Sequence, residues 1–255
     1  MELAMNVHGI IFDINGTLID IHTDESYEEI YRVVSNLLSY QGVLLDPHTV
    51  KELYFDALKE QLHASGERYP EFDAVTIFRE IVTNHVSDYT SGLPAERLAQ
   101  LPQILAEVYR SVSRLKLQLY PGVEEVVREL HRKYRLAALS DGQSAWAVPE
   151  LHAVGLLKYF SPVIVSGDVG YRKPDRRIFE SALAGMGLAA SEVLFVGNNL
   201  YRDIYGAQRV GMKTVYYRAN GLEERNREDG GDVRADYDIH GFSEVLHAIS
   251  FFEGH

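Results

Sequence analysis

Five short apolar runs, each ending in a polar turn, constrain this chain more than any other feature. They cover residues 7–14 (VHGIIFDI), 135–141 (RLAALSD), 162–166 (PVIVS), 192–197 (EVLFVG) and 213–218 (KTVYYR). Near-continuous Val, Ile, Leu and Phe, without strict alternation, predicts strands covered on both faces, as in a parallel sheet. Helical periods lie between the runs. In VEEVVRELHRKY, Val123, Val126, Val127 and Leu130 fall at i, i+3, i+4 and i+7 and form one stripe. DRRIFESALAGMG and DIYGAQRVGM predict the helices before the fourth and fifth strands. The expected class is α/β, a doubly wound parallel sheet with a Rossmann-like core.

The interval between the first and second runs is different. From about residue 20 to residue 118 the pattern is helical, with no strand expected. DESYEEIYRVVSNLLSYQG places Tyr27, Ile30, Tyr31, Val34 and Leu38 on one stripe, with Thr23 or Asp24 as N-cap and a stop at Gly42. Tyrosines on that stripe read as core. Further helices are expected over 47–64, 71–88 and 94–116, separated by Gly66, Pro70, Gly92 and Pro94. This length exceeds a crossover helix. It predicts an all-helical domain over 20–117, inserted into a core domain made of 1–19 and 118–255, with hinges near 18–22 and 117–121. Ligands in open α/β sheets bind at the carboxyl ends of the strands, so the insertion reads as a cap over that edge. The charged stretch 220–236 reads as a solvated, mobile loop, and YDIHGFSEVLHAIS as an edge strand with a closing helix.

Composition removes several functions. Lys and Arg total 25 against 37 Asp and Glu, a formal charge of −12. Such a surface repels nucleic-acid backbones and anionic membranes. With no cysteine, thiolate nucleophiles, disulfides and zinc–thiolate sites are excluded, which fits a cytoplasmic protein. The ten histidines show no metal-ligand spacing, and His8, His22 and His131 read as solvated or locally bonded. The N-terminal MELAMNVHGIIFD lacks a signal-peptide pattern, and no apolar run reaches membrane-spanning length.

Chemistry gathers where the strands end. Asp13 with Asn15, Gly16 and Thr17 follows the first run; Ser140, Asp141 and Gly142 follow the second. Lys173 precedes Pro174 after the third, and Asn198, Asn199 and Asp203 follow the fourth. A parallel sheet brings these tips together in one crevice. There Asp13 would attack phosphorus or an electrophilic carbon, Ser140 and backbone N–H groups would hold its oxygens, and Lys173 would neutralise charge. Gly16 lets the backbone approach closely, Thr17 orders the loop around Asp13, and both join Asp141 and Gly142 on the substrate side. Carboxylates with a backbone carbonyl are hard donors suited to Mg²⁺. Asn198 and Asn199 equally suit a turn after a strand.

With DINGTL, ALSDG, YRKPD and GNNLYRD in this order, the chain resembles the haloacid dehalogenase-like superfamily from Val7 to about Ser250. The resemblance implies an α-helical cap after the first motif, Asp13 as nucleophile, and Ser140 and Lys173 as its partners. It further implies Mg²⁺ held by Asp13, Asn15, Asn198, Asn199 and Asp203, and a small phosphorylated substrate. Two departures stand out. Phosphatases of this family carry a second Asp where Asn15 stands, to protonate the leaving oxygen and then activate water. An amide cannot move a proton, and losing a general acid/base costs about 10²–10⁴-fold. An Asn also replaces a metal carboxylate at 198 or 199, which lowers the charge offered to Mg²⁺.

The expected function is therefore Mg²⁺-dependent phosphate-ester hydrolysis through an aspartyl-phosphate, weakened at its acid/base step. A natural specialised enzyme and an introduced trapping substitution both fit that reading. The alternatives are metal-independent hydrolysis of a 2-haloacid, or a member that binds a phosphorylated ligand or partner without turnover. Against the dehalogenase stands the absence of an aromatic at position 15. The cap arginines Arg32, Arg68 and Arg79 also lack a recognisable halide-cradle context, and the single Trp146 belongs to the core. Asn15-Gly16 is additionally a deamidation-prone pair, whose conversion to aspartate would restore the acid.

Overall fold

The computed structural model describes residues 4–218 and 233–254. Six parallel strands form one sheet in the order β5-β4-β1-β6-β7-β8. They are β1 (Gly9–Phe12), β4 (Arg135–Ser140), β5 (Val163–Val165), β6 (Val193–Gly197), β7 (Lys213–Tyr217) and β8 (Tyr237–Ile239). All five apolar runs are strands, and the expected edge strand completes the sheet.

Alternation along β1 explains the layering. Ile10 and Phe12 join a cluster with α6 (Val123–Leu130), α7 (Ser144–Ala153) and α10 (Val245–Glu253). Ile11 joins the opposite cluster, with α8 (Arg176–Met186) and α9 (Gly206–Gln208). A strand covered on both sides must be apolar at every position, and β1 is fully buried. The strand order reverses between β1 and β6, the switch point at which open α/β sheets take their ligands.

Helices α1 (Glu28–Ser39), α2 (Pro47–Ala64), α3 (Ala74–Asn84) and α5 (Ala95–Ser113) share a separate core, and the single turn α4 (Asp88–Ser91) joins α3 to α5. The core is rich in rings: Tyr54 stacks on Tyr109 with centroids 4.5 Å apart, and Tyr109 lies parallel to Trp146 at 6.1 Å. Ile30, Tyr31, Val34 and Leu38 of the expected stripe are buried, whereas Tyr27 is exposed. Trp146 is the surprise. It starts from the sheet side yet is buried among these helices, its Nε1 donating to the Ala106 carbonyl at 2.9 Å.

Several boundaries differ from expectation. Strands β2 (Ile19–Thr23) and β3 (Arg114–Leu119) pair as an antiparallel ribbon where the sequence predicts only helix and hinge. RLKLQL alternates Leu with polar residues, the two-residue period of a half-exposed strand, so α5 stops at Ser113. The first helix starts at Glu28 because Asp24 bonds Ser26 in a local turn instead of capping. The stretch 71–88 shortens to α3, with Asp73 as its N-cap. DIYGAQRVGM begins within a π-helical segment, Leu200–Tyr205, and runs on into the short α9. The charged tail falls, through residue 232, outside the described residues. No helix among the described residues is long and apolar enough to cross a membrane.

Candidate active site

Lys173 organises the crevice. Its ammonium donates to Asp13 Oδ1 at 2.6 Å, to Asp203 Oδ1 at 2.7 Å and to the Leu139 carbonyl at 3.3 Å. Asp13 follows β1, Leu139 lies in β4, and Asp203 sits in the π-helical turn after β6. One cation thus ties three strand ends together. All three charged residues are buried, at 5% exposure or less.

Each carboxylate has a second anchor. Thr17 Oγ1 donates to Asp13 Oδ2 at 2.9 Å. Asp203 Oδ2 accepts the backbone N–H groups of Asn198 (3.0 Å) and Asn199 (2.9 Å). Burial pushes the Asp13 carboxyl up to about 6; the Lys173 charge opposes the rise and the Asp203 charge adds to it. Burial also works against the Lys173 charge, but Asp13, Asp203 and Asp141 outweigh it and hold its pKa above the ordinary value.

The remaining expected residues divide between crevice and scaffold. Gly16 is required by its φ of +85° and by space, because a Cβ would lie 2.2 Å from Asn198 Nδ2. That contact places the Asn198 amide beside the first loop. Ser140 is buried at the tip of β4, its hydroxyl donating to the Asp141 carbonyl at 3.3 Å. Asp141 holds the Lys173 backbone N–H at 3.0 Å and faces Arg202 at 3.5 Å, and burial raises its pKa against both cations. Gly142 donates its N–H to Ser166 Oγ at 2.8 Å, which leaves it unavailable to a ligand. Asn199 Oδ1 caps the next turn by accepting from Tyr201 and Arg202, so the oxygen expected on a metal is engaged in the backbone.

Asn15 answers the deamidation idea physically. The Gly16 nitrogen, which would attack the Asn15 amide, donates to the Ile19 carbonyl at 2.8 Å and is held in the turn. Among the described residues, Asn15 Oδ1 is a buried acceptor without a hydrogen-bond partner. It awaits a donor or a cation.

These donors fit Mg²⁺ in kind but are poor in charge. Asp13, the Asn15 carbonyls and the Asn198 amide offer hard oxygens. Yet among the described residues no three His, Cys, Asp or Glu side chains gather as a metal cluster. Asp203 already has both oxygens engaged, by Lys173 and by two backbone amides.

Residues 7–211 match the family model for a haloacid dehalogenase-like hydrolase. The chain belongs to that family. This haloacid dehalogenase-like hydrolase is 34% identical over 158 residues to a phosphoserine phosphatase of Thermus thermophilus, covering 62% of this chain and 61% of that protein. The match therefore spans less than two thirds of that relative. A glyceraldehyde 3-phosphate phosphatase of Methanothermobacter thermautotrophicus is 30% identical over 186 residues, 68% of this chain and 82% of that protein. Among solved structures, a 2-haloacid dehalogenase from Pseudomonas syringae superposes with a TM-score of 0.67 at 21% identity, covering 96% of this chain and 99% of that one. A phosphatase of the same family from Thermococcus onnurineus gives 0.55 at 24% identity, with 95% and 98% covered. At those identities the structures establish the shared fold.

Residues from the helical side escaped the sequence reading. Tyr69 meets Tyr201 hydroxyl to hydroxyl at 2.8 Å, and Glu71, Gln143 and Ser166 join the helices to the strand-end loops. No local pattern marks them, since each is an ordinary polar residue until its distant partner is known.

Proposed function

We propose that this hydrolase cleaves small phosphate monoesters through a phosphoryl-enzyme on Asp13, with helices α1–α5 as a cap over the crevice. The observation carrying the reading is the buried Asp13 carboxylate at the tip of a central strand, fixed by Lys173 at 2.6 Å and Thr17 at 2.9 Å. Curated relatives named as phosphatases support the choice of phosphorus as the electrophile.

In the first step an Asp13 oxygen bonds to phosphorus as the bond to the leaving oxygen breaks. Lys173 holds the attacking carboxylate in line and, with Ser140, faces the charge transferred. Asp13, the Asn15 backbone carbonyl and Asn198 would hold Mg²⁺, which would add screening of the phosphoryl oxygens. In the second step water attacks phosphorus and returns the Asp13 carboxylate. Asn15 neither donates a proton to the leaving oxygen nor takes one from water. Aryl and acyl phosphates, whose leaving groups depart unprotonated, are therefore the better substrates, and the phosphoryl-enzyme is slow to hydrolyse.

A second reading is favoured by one feature: the Lys173 ammonium already occupies the position between both carboxylates. Displacement of halide from the carbon of a 2-haloacid by Asp13 needs neither a metal nor a proton donor. Water then attacks the Asp13 carbonyl carbon to release the hydroxyacid. Phosphate release from aryl, acyl and alkyl phosphates, with Mg²⁺ or with chelator, separates the readings. Rates that rise as the leaving-group pKa falls support the phosphatase. Halide release from a 2-haloacid in chelator, with no phosphate release in Mg²⁺, replaces it with the second reading.

A further inference from the structure

Residues 69–74, leading into α3, run against the loops that follow β4 and β5. Two backbone bonds set the register: Glu71 N–H donates to the Gly170 carbonyl at 3.0 Å, and Arg172 N–H to the Tyr69 carbonyl at 2.9 Å. Gln143 then acts as a surrogate peptide group. Its Nε2 donates to the Phe72 carbonyl at 2.7 Å and its Oε1 accepts from Ala74 N–H at 3.0 Å.

Beside it lies a buried relay. Ser166, with no exposed surface, donates its hydroxyl to Glu71 Oε2 at 2.8 Å and accepts Gly142 N–H at 2.8 Å. The hydroxyl has one proton and two acceptors in reach, since the Gly142 carbonyl stands 3.3 Å away. Glu71 takes it at the shorter distance, which leaves a Ser166 lone pair directed at the Gly142 N–H. The Gly142 carbonyl accepts from Gly167 N–H at 2.8 Å, and a Cβ on Gly167 would lie 2.7 Å from that carbonyl oxygen. Only a residue without a side chain closes this junction.

The loop held this way is the one that carries Ser140 and Asp141, and Asp141 fixes the Lys173 backbone at 3.0 Å. We propose that Glu71 and Gln143 are positioning residues, which set loop 140–143, and through Asp141 the lysine, only while the cap is seated. A cap carboxylate thereby makes catalytic geometry conditional on cap docking. The inference rests on the reading that Asp13 and Lys173 carry out hydrolysis.

The single tryptophan reports on the same seam, because Trp146 donates to Ala106 across it. In the full chain, Glu71→Leu and Ser166→Ala are expected to lower kcat on p-nitrophenyl phosphate by about 10- to 100-fold with KM little changed. Acrylamide quenching of Trp146 should rise in Glu71→Leu, while Glu71→Gln, which keeps an acceptor, should restore both readouts. A kcat at the wild-type level in Glu71→Leu, with only a lower Tm, would overturn the proposal by reducing Glu71 to a structural role. So would a Gln variant as impaired as Leu. If the wild-type chain hydrolyses neither p-nitrophenyl phosphate nor 2-chloropropionate, the proposed function fails separately. Trp146 then decides for the seam: unchanged quenching in Glu71→Leu overturns it, and a rise reversed by Gln supports it.

Discussion

The crevice and the helical core bury opposite things. In the crevice, Asp13, Lys173 and Asp203 are packed as ions, each bonded to a partner of opposite charge. Between the helices, Tyr31, Tyr54, Phe78, Tyr109 and Trp146 are packed as rings. Desolvating ions opposes folding unless every charge is paired, whereas burying rings favours it outright. Burial of the rings therefore favours the fold outright, whereas burial of the ions is tolerated only through their pairing. Substitutions on the two sides should separate accordingly.

The largest expected effect is Asp13→Asn, which should remove turnover by on the order of 10⁴-fold or more with a smaller change in Tm than any ring truncation. Steady-state rates beside calorimetry check it, and retained turnover would break the contrast at its strongest point. Asn15→Asp should raise hydrolysis of alkyl phosphates by about 10²–10⁴-fold, with a smaller gain on aryl phosphates, because it returns the proton carrier. No gain on reversion would place the limit elsewhere in the crevice.

On the ring side, Trp146→Ala should cost about 3–5 kcal/mol in denaturant unfolding, from lost burial and the cavity left behind. Smaller again is Gly16→Ala, about 1–3 kcal/mol, since it forces a side chain into positive φ and against Asn198.

pH draws the same line within a single residue. The Asp13 carboxyl lies at about 6 in the fold against 3.8 when unperturbed, so the folded chain keeps a proton that the unfolded chain releases. Its contribution to stability is complete below pH 3.8 and is lost as pH rises through about 6. Under the proposed mechanism activity runs the other way, because only the ionised carboxylate would attack. An acid limb near pH 6, moved upward in Lys173→Gln as the opposing cation is lost, is the expected rate profile.

Local pattern made much of the molecule legible. The apolar runs gave the strands because burial on both faces permits little else, and α2 matches the expected 47–64 because Asp46 caps it before Pro47. The ribbon of β2 and β3 was not read, because each strand is half exposed and gains its hydrogen bonds only from a partner some 95 residues away, as in His22 opposite Lys116. Asn198 and Asn199 looked equivalent, yet one lies against Gly16 and the other caps a turn.

By itself, the sequence determined which residue types stand at the strand tips and which segments repeat with a helical or strand period. These are short-range properties, fixed by backbone geometry and solvation. Only the tertiary structure decided that Lys173 bridges Asp13 and Asp203, that Trp146 leaves its own layer for the helices, and that Glu71 reaches Ser166 across 95 positions. Which proton meets which oxygen depends on how distant segments pack, and no local period encodes it.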